Sequence, residues 1–153
     1  KPINAKGETV ATNGMFRSAY RSRRALMPID GFFEWRAIKG VKGKQPYAIA
    51  MKDGTPFCLA AIMETWRSPE TGEDIRTFAV TTCAANKLVG QIHPRMPVII
   101  APEDYTPWLS EEPDPDDRLK PFPPELMTMW LISRRVNAPA NNDPEVLDLF
   151  EVE

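Results

Sequence analysis

The amino-acid sequence predicts an α+β fold in which a mostly antiparallel, barrel-like or bifurcated sheet carries short flanking helices. Its strand-like segments are short, apolar and separated by turn residues, which is typical of antiparallel sheets. Sixteen of the 153 residues are proline, about twice the average share, and this favours short elements over long helices. Because 42% of the residues are hydrophobic, the chain can fill one core, and residues 1–153 are predicted to form a single domain.

The first predicted elements follow two short polar motifs. Asn4 and Lys6 fall on one face if their segment is extended, and a turn or a helix start is the alternative. A short helix is predicted over 14–23, where apolar residues recur at helical spacing after capping residues. Residues 31–37 alternate two faces and predict a strand, and a basic, glycine-containing hairpin loop follows over 39–44.

The rest of the chain is interpreted as further short strands and helices. Apolar runs bounded by turn residues predict strands over 46–51, 57–66, 75–83, 96–100 and 127–136. The turns are predicted at 53–54 and 68–74. Short helices are predicted over 86–92 and 102–109, and the second has proline in its first turn. An acidic, proline-rich surface loop is predicted over 110–124.

The formal net charge of −2 conceals an uneven distribution of charge along the chain. Residues 1–100 hold 15 basic and 8 acidic side chains, whereas residues 101–153 hold 4 basic and 13 acidic ones. This asymmetry predicts a basic surface in the first part, with the acidic stretch as the far side and tail. Such a surface is a candidate polyanion site, although runs of charge are also often only solvated.

The composition excludes several classes of protein. The longest uninterrupted apolar run, 57–63, is far too short to span a membrane. A single histidine, His93, rules out a histidine-rich metal cage, and two cysteines do not make a disulfide framework. Cys58 and Cys83 lie in apolar strands and are interpreted as buried, inert thiols. No metal, cofactor or membrane partner is predicted, and the cytoplasm is the expected setting.

Glu34 is the most informative single residue, because it stands among large apolar rings in Phe32-Phe33-Glu34-Trp35. An apolar environment favours the protonated form of a carboxyl group, which can then act as a general acid near neutral pH. The alternatives are that Glu34 points outward from a half-buried strand or pairs with an arginine.

His93 and Arg95 lie in His93-Pro94-Arg95-Met96-Pro97, where two prolines restrict the backbone. An imidazole beside a guanidinium favours its neutral form and is then available as a base. Arg95 beside it is a candidate fork for a phosphate group. A structural or merely exposed histidine is the alternative.

Several motifs follow one another in a specific order along the chain. They include Asn4-Ala-Lys-x-Glu8-Thr9, Arg23-Arg24-x-Leu26-x-Pro28-x-Asp30-Gly31-Phe-Phe-Glu34-Trp35, Gln45-Pro46-Tyr47, Thr77-Phe78-Ala79-Val80-Thr81-Thr82, Ile92-His93-x-Arg95-Met96-Pro97 and Val136-Asn137. In this order the sequence resembles the SOS response-associated peptidase (SRAP) family over essentially its whole length. The resemblance implies a single α+β domain with a barrel-like sheet that senses abasic sites in single-stranded DNA during the DNA damage, or SOS, response.

The resemblance also implies how such a protein reacts. An amino-terminal cysteine condenses with the open-chain sugar aldehyde and closes a thiazolidine, so that the protein shields the lesion as a covalent cross-link. Glu34 matches the acid–base group that helps to open the sugar ring, and His93 matches the group that assists Schiff-base formation and reversal. Asn4 matches the residue that orients the cysteine. For DNA binding, the expected contacts are Lys6 and Arg95 with phosphates and Trp35 with a flanking base.

The sequence departs from the family pattern in two places. Lys6 stands where the first motif usually has arginine, and lysine keeps the charge but loses the two-pronged grip on phosphate. In the family, a segment that starts with the catalytic cysteine precedes the Asn4 motif. We expect residues 1–153 to lack that amino-terminal segment.

Two other functions are compatible with these motifs. One is a peptidase, or self-processing hydrolase, and turnover of unrelated peptides would support it. The other is a non-catalytic module that binds single-stranded DNA, and salt-sensitive binding indifferent to the lesion would support it. The preferred partner is single-stranded DNA with abasic sites. The protein is expected to be a cytoplasmic monomer that associates with the nucleoid when it is bound to DNA.

Overall fold

The structure, a computed structural model, describes residues 2–40 and 42–150. They form two compact units. Unit 1 comprises Lys1–Ile29, Phe57–Ala84 and Arg95–Phe122, and unit 2 comprises Asp30–Pro56, Ala85–Pro94 and Pro123–Glu153. Each unit joins segments that are distant in the sequence, and the single domain predicted over 1–153 stays a prediction.

Nine strands and three α-helices occur in the described residues. The strands are β1 (Asn4–Lys6), β2 (Arg24–Ile29), β3 (Phe32–Ala37), β4 (Lys44–Met51), β5 (Phe57–Arg67), β6 (Asp74–Ala84), β7 (Arg95–Pro97), β8 (Ile99–Ile100) and β9 (Met127–Leu131). The α-helices are α1 (Gly7–Val10), α2 (Arg17–Ser22) and α3 (Tyr105–Leu109). The predicted α+β class with a mostly antiparallel sheet is confirmed. Within the described part of the chain, no helix has the length and apolar character needed to cross a membrane.

Unit 1 contains a six-stranded sheet that branches. Its main path runs β1-β6-β5-β2, and β7 and β8 pair with β6 and β5 beside that path. The pairings are antiparallel except that of β1 with β6, which is parallel. In the described residues the path ends at β1 and β2 without closing, so the expected bifurcated sheet takes the form of an open, branched one.

The branch corrects the prediction of one strand over 96–100. The chain forms β7 and β8 instead, because it changes its pairing partner at Val98. The Val98 N–H donates to the carbonyl oxygen of Thr81 on β6, and the Val98 carbonyl accepts from the Ala60 N–H on β5, both at 2.9 Å.

A buried arginine connects the helices of unit 1 to its sheet. Arg24 on β2 is 8% exposed and donates hydrogen bonds to five backbone carbonyl oxygens at the carboxyl ends of α2 and α3 and just beyond α3. The acceptors belong to Tyr20, Arg21, Trp108, Ser110 and Glu112. The guanidinium carbon also lies 5.9 Å from the Tyr20 ring centre and 5.6 Å from that of Trp108, within cation–π range.

Unit 2 contains a three-stranded antiparallel sheet in the order β3-β4-β9. Apolar side chains from β4, β9 and the neighbouring turns fill its core, and the buried ones include Ala48, Ile49, Val89, Met127 and Ile132. The Phe32-Phe33-Glu34-Trp35 motif lies on β3 of this sheet, and β3 pairs with β4.

Most of the predicted strands are confirmed with shifts of one or two residues at their ends, namely those over 31–37, 46–51, 57–66 and 75–83. The extended alternative for Asn4 and Lys6 is also confirmed, as β1. The strand over 127–136 is too long, since β9 ends at Leu131. A 3₁₀ turn over Arg134–Asn137 follows, and the Ser133 side chain caps it by accepting from the Arg135 N–H.

Two of the three predicted helices are too long, because asparagine side chains hold their first residues in turns. For the helix over 14–23, Asn13 Oδ1 accepts from the Met15 N–H, and α2 begins only at Arg17. For the helix over 86–92, Asn86 Oδ1 accepts from the Val89 N–H, and only a 3₁₀ turn over Val89–Gln91 forms. The helix over 102–109 is divided into a 3₁₀ turn over Pro102–Asp104 and α3.

Strand β2 and helix α1 are absent from the predicted elements. Pro28 argues against a strand over that run, because proline cannot donate to a ladder. Among the described residues, however, β2 lies at the end of the sheet path and pairs with β5 alone. No second strand therefore needs a hydrogen bond from the position of Pro28.

The two cysteines differ in their environment. Cys83 is buried, as expected, whereas Cys58 is partly exposed. Burial raises the pKa of the Cys83 thiol to about 11, while a thiol in the unfolded chain ionises near 9.0. A raised pKa means that the stabilising contribution of the neutral thiol is complete below pH 9 and is lost as the pH rises towards 11.

We therefore expect Cys83→Ala to flatten the alkaline decline in stability. Between pH 9 and 11, the free energy of unfolding should fall by up to about 2 kcal/mol less in the variant than in the wild type. Urea unfolding at a series of pH values measures this difference. An equally steep decline in both proteins would contradict the raised pKa of the Cys83 thiol.

Candidate functional site

Glu34 and His93, the two predicted acid–base residues, come together in unit 2. Glu34 Oε2 lies 3.7 Å from His93 Nδ1. The Glu34 side chain is 21% exposed and that of His93 is 36% exposed, so a molecule from solvent can reach the pair. Among the described residues, Glu34 thus faces a histidine rather than the arginine of the alternative interpretation. A carboxyl group and an imidazole in this arrangement can give and take protons at neighbouring atoms of a substrate.

Strand β3 fixes the position of Glu34. Glu34 lies opposite Tyr47 in the β3–β4 register, and its Oε1 accepts a hydrogen bond from the Trp35 N–H at 3.0 Å. Gly31 stands just before β3, where a Cβ atom would meet the carbonyl oxygen of Ile49 at 2.9 Å. Glycine at position 31 therefore lets the start of β3 approach β4 closely, and this approach fixes the position of the strand that carries Glu34.

His93 is positioned by the turn that precedes it. Its N–H donates to the carbonyl oxygen of Val89 at 3.0 Å, and Val89 is itself fully buried. Asn86 Oδ1 accepts from the Val89 N–H, which anchors the start of the turn. The Ala85 N–H donates to the carbonyl oxygen of Pro94, also at 3.0 Å, and closes the base of the loop. The imidazole therefore projects from a backbone that is fixed on both sides.

Trp35, the predicted base-stacking residue, follows Glu34 on β3 and is half-buried. Its Nε1–H donates to Asn137 Oδ1 at 2.8 Å. Its ring stands edge-on to that of Phe33, with 6.5 Å between ring centres and 69° between planes. Asn137 has no role in the sequence prediction, although its motif carries part of the family resemblance.

Asn4 and Lys6 lie on β1 in unit 1. Both side chains are exposed, whereas Ala5 between them is fully buried. β1 runs parallel to β6 with Asn4 opposite Val80. Asn4 also borders a mainly apolar groove of about 740 Å³, whose lining includes the exposed ring of Phe78. The two polar side chains therefore lie on one face of a short strand, and Asn4 lies at the border of a groove in the same unit.

Arg95, the predicted phosphate contact, also belongs to unit 1 and is engaged by a carboxylate. Its two terminal nitrogens donate to the two carboxylate oxygens of Glu8 at 2.5 and 2.9 Å, and one of them also donates to the carbonyl and hydroxyl oxygens of Thr82. The hydrogen bond from Arg95 lowers the pKa of Glu8, and that carboxylate raises the pKa of Arg95. A phosphate group that binds Arg95 has to share or displace the Glu8 carboxylate.

Glu8, the partner of Arg95, is a residue that the sequence prediction did not name. Two signals were present, since Glu8 belongs to the Asn4 motif and is an acid in a predominantly basic part of the chain. Gly7 assists its placement, because a Cβ atom there would meet the carbonyl oxygen of Thr82 at 3.1 Å. Glycine at this position lets α1 lie close to β6, where the Glu8 carboxylate meets Arg95.

The predicted site residues are therefore distributed over both units. Glu34, Trp35 and His93 lie in unit 2, and Asn4, Lys6 and Arg95 lie in unit 1. In residues 2–40 and 42–150, no cluster of three or more His, Cys, Asp or Glu side chains is arranged to hold a metal ion. In unit 2, the described residues can carry out acid–base chemistry next to an indole ring. In unit 1, they offer the exposed side chains of a lysine and an asparagine.

Known proteins are similar in sequence to this chain. A family model described as SOS response associated peptidase (SRAP) matches residues 1–139. The abasic site processing protein YoqW of Bacillus subtilis is 36% identical over 152 residues, which cover 97% of this chain and 67% of that protein. The abasic site processing protein YedK of Escherichia coli is 39% identical over 110 residues, which cover 72% of this chain and 48% of that protein.

The fold is shared with a solved structure as well. The crystal structure of a protein from Bacteroides thetaiotaomicron matches with a TM-score of 0.88 and 31% identity, covering 97% of this chain and 66% of that one. This chain thus spans about two thirds of the length of YoqW and of that crystallised protein. The family match over residues 1–139 includes every site residue described above. The chain belongs to the SOS response associated peptidase (SRAP) family.

Proposed function

We propose that this protein processes abasic sites in DNA. Membership of the family supports the proposal, as do relatives that are described as abasic site processing proteins. The observation that carries it is the Glu34–His93 pair, with 3.7 Å between Oε2 and Nδ1. Processing an abasic sugar requires protons to be given and taken at neighbouring atoms, which is the chemistry that such a pair provides.

The first chemical task is to open the sugar ring. An abasic deoxyribose exchanges between a closed hemiacetal and an open-chain aldehyde, and only the aldehyde condenses with an amine. Opening needs a proton on the ring oxygen and the loss of a proton from the hydroxyl group on C1′. In the proposal, Glu34 gives the proton to the ring oxygen and His93 carries protons during Schiff-base formation and reversal.

The second task is to form the cross-link. The α-amine of an amino-terminal cysteine attacks the aldehyde carbon, and loss of water leaves a Schiff base. The cysteine sulfur then adds to the imine carbon while the nitrogen takes a proton, which closes a thiazolidine ring. Cys58 and Cys83 cannot supply both groups, because their nitrogens belong to peptide bonds. The proposed nucleophile is therefore not among residues 1–153, and Asn4 is proposed to orient it.

Single-stranded DNA is the proposed partner of this chemistry. An abasic nucleotide has no base to stack, so the strand bends at reduced cost and presents its sugar. Lys6 and Arg95 are the proposed phosphate contacts and Trp35 is the proposed stacking residue. We propose that the protein acts as a monomer in the cytoplasm and associates with the nucleoid when it is bound to the lesion.

Covalent capture of abasic DNA tests the proposed function. The protein, produced from its complete reading frame, is incubated with a single-stranded oligonucleotide whose one uracil has been excised. We expect a protein–DNA adduct that survives denaturing electrophoresis, with a mass equal to protein plus DNA minus one water.

Two control oligonucleotides define the reacting group. One keeps the uracil, and the other carries a tetrahydrofuran residue, which has the shape of the abasic sugar but no aldehyde. Neither control should give an adduct. Absence of an adduct with the excised oligonucleotide, or equal adduct with the controls, would refute covalent processing. Salt-sensitive binding that ignores the lesion would then favour a non-catalytic DNA-binding module.

A further inference from the structure

Asn137 accepts a hydrogen bond from the indole N–H of Trp35, the residue that follows Glu34. From this hydrogen bond we infer that Asn137 is a positioning residue, which holds Trp35 as a stacking platform for the base adjacent to an abasic site. The inference deepens the proposed function and rests on it.

The bond between the two side chains is specific. Indole has a single N–H donor, and that of Trp35 reaches Asn137 Oδ1 at 2.8 Å, across 102 positions of sequence. A half-buried indole on a strand can also satisfy its N–H with water, so the fold has no need of this partner for burial alone. The bond instead restricts rotation of the ring about its side-chain torsions, as does the edge-on contact with Phe33.

The segment that carries Asn137 is braced. The 3₁₀ turn over Arg134–Asn137 begins at Ser133, whose Oγ accepts from the Arg135 N–H. Asn141 Nδ2 donates to the carbonyl oxygen of Arg135 at 2.7 Å, and the Arg135 guanidinium pairs with Asp143 at 2.9 Å. Asn137 therefore projects from a turn that is held on both sides, which makes it a fixed acceptor for Trp35.

The backbone of Trp35 is hydrogen-bonded to Glu34, one of the two proposed acid–base residues. Its backbone N–H donates to Glu34 Oε1 at 3.0 Å, while Glu34 Oε2 faces His93. The ring that Asn137 orients thus follows directly after the residue that we propose to protonate the abasic sugar. Nucleotides next to that sugar still carry bases, and an aromatic ring with a partly exposed face stacks on a base of any sequence.

A single comparison of two oligonucleotides tests the inference. Both contain a tetrahydrofuran residue, which binds without reacting; in one it is flanked by adenines, and in the other by further tetrahydrofuran residues. We expect the wild-type protein to bind the adenine-flanked strand about 5- to 100-fold more tightly, because only that strand offers bases to stack. Fluorescence anisotropy of the labelled strands measures both dissociation constants.

Asn137→Ala and Trp35→Phe should each remove most of this preference. Each variant loses the same hydrogen bond, so the double variant should lose little more than either single one. Trp130→Phe is the matched control, because it also removes an indole hydrogen bond in unit 2, to the carbonyl oxygen of Leu147, yet should keep the preference. A role confined to folding would weaken binding of both strands equally.

Three results would overturn the inference. They are an unchanged adenine preference in Asn137→Ala, an equal loss of affinity for both strands, and an unchanged preference in Trp35→Phe. The last result decides the matter even if Asn137→Ala fails to fold, as judged by circular dichroism. The proposed function fails separately, by the absence of a covalent adduct with aldehyde-bearing DNA, and this leaves the adenine preference measurable.

Discussion

Glutamine in place of Glu34 is expected to slow the capture of abasic DNA by about 10²- to 10⁴-fold, the range that a general acid or base contributes. Glutamine has nearly the same shape, and its amide oxygen can still accept the hydrogen bond from the Trp35 N–H. What it loses is the ability to give and take a proton next to His93. The effect should therefore fall on the rate of adduct formation, while the affinity for a tetrahydrofuran-containing strand stays near that of the wild type.

Single-turnover kinetics with aldehyde-bearing DNA measures this rate. Glu64→Gln is the matched control, because Glu64 is an exposed carboxylate on β5 that pairs with Arg23, and its rate should equal that of the wild type. If Glu34 and His93 act as a unit, the Glu34→Gln, His93→Gln double variant should be little slower than the slower single variant. A wild-type rate in Glu34→Gln would remove Glu34 from the chemistry.

The candidate site was only partly predictable from sequence. Alternation along β3 identifies the strand that carries Glu34, because the faces of a strand follow a period of two. The same pattern does not reveal which residue faces the carboxylate. His93 reaches it because the segment Ala85–Pro94 packs within unit 2, and that packing depends on contacts between distant parts of the chain. Asn137 escaped assignment for the same reason, since its partner Trp35 is 102 positions away.

The fold shows the same division between local and distant determinants. Turn residues and apolar runs locate β3, β4, β5 and β6 closely, because they act within a few residues. The break at Val98 depends instead on the presence of two different partner strands, which no local pattern records. Strand β2 depends on distant contacts as well: proline is unfavourable in a central strand and tolerated in a terminal one, and the position of β2 in the sheet is a tertiary property.

Arg24 is the clearest case of a residue whose role only the structure reveals, and its loss should have the largest effect on stability. Leucine at this position is expected to lower the free energy of unfolding by about 3 to 5 kcal/mol. Short helices are marginal alone and leave their last carbonyl groups without helical partners. The Arg24 guanidinium donates hydrogen bonds to carbonyl groups at the ends of both α2 and α3. Leucine therefore leaves carbonyl oxygens at the ends of two helices without a hydrogen-bond donor.

The neighbouring arginine provides the matched control for this prediction. Arg23 forms an exposed ion pair with Glu64, with 36% and 52% of the two side chains accessible, so Arg23→Leu should cost less than about 1 kcal/mol. Arg24→Lys keeps the charge but offers donors at one point instead of along a planar fork, so its stability should lie between that of Arg24→Leu and the wild type. Urea unfolding followed by circular dichroism gives all three values. Equal losses for Arg23→Leu and Arg24→Leu would show that the buried hydrogen bonds of Arg24 contribute no more than a surface ion pair, and the view of Arg24 as the shared cap of two helices would have to be abandoned.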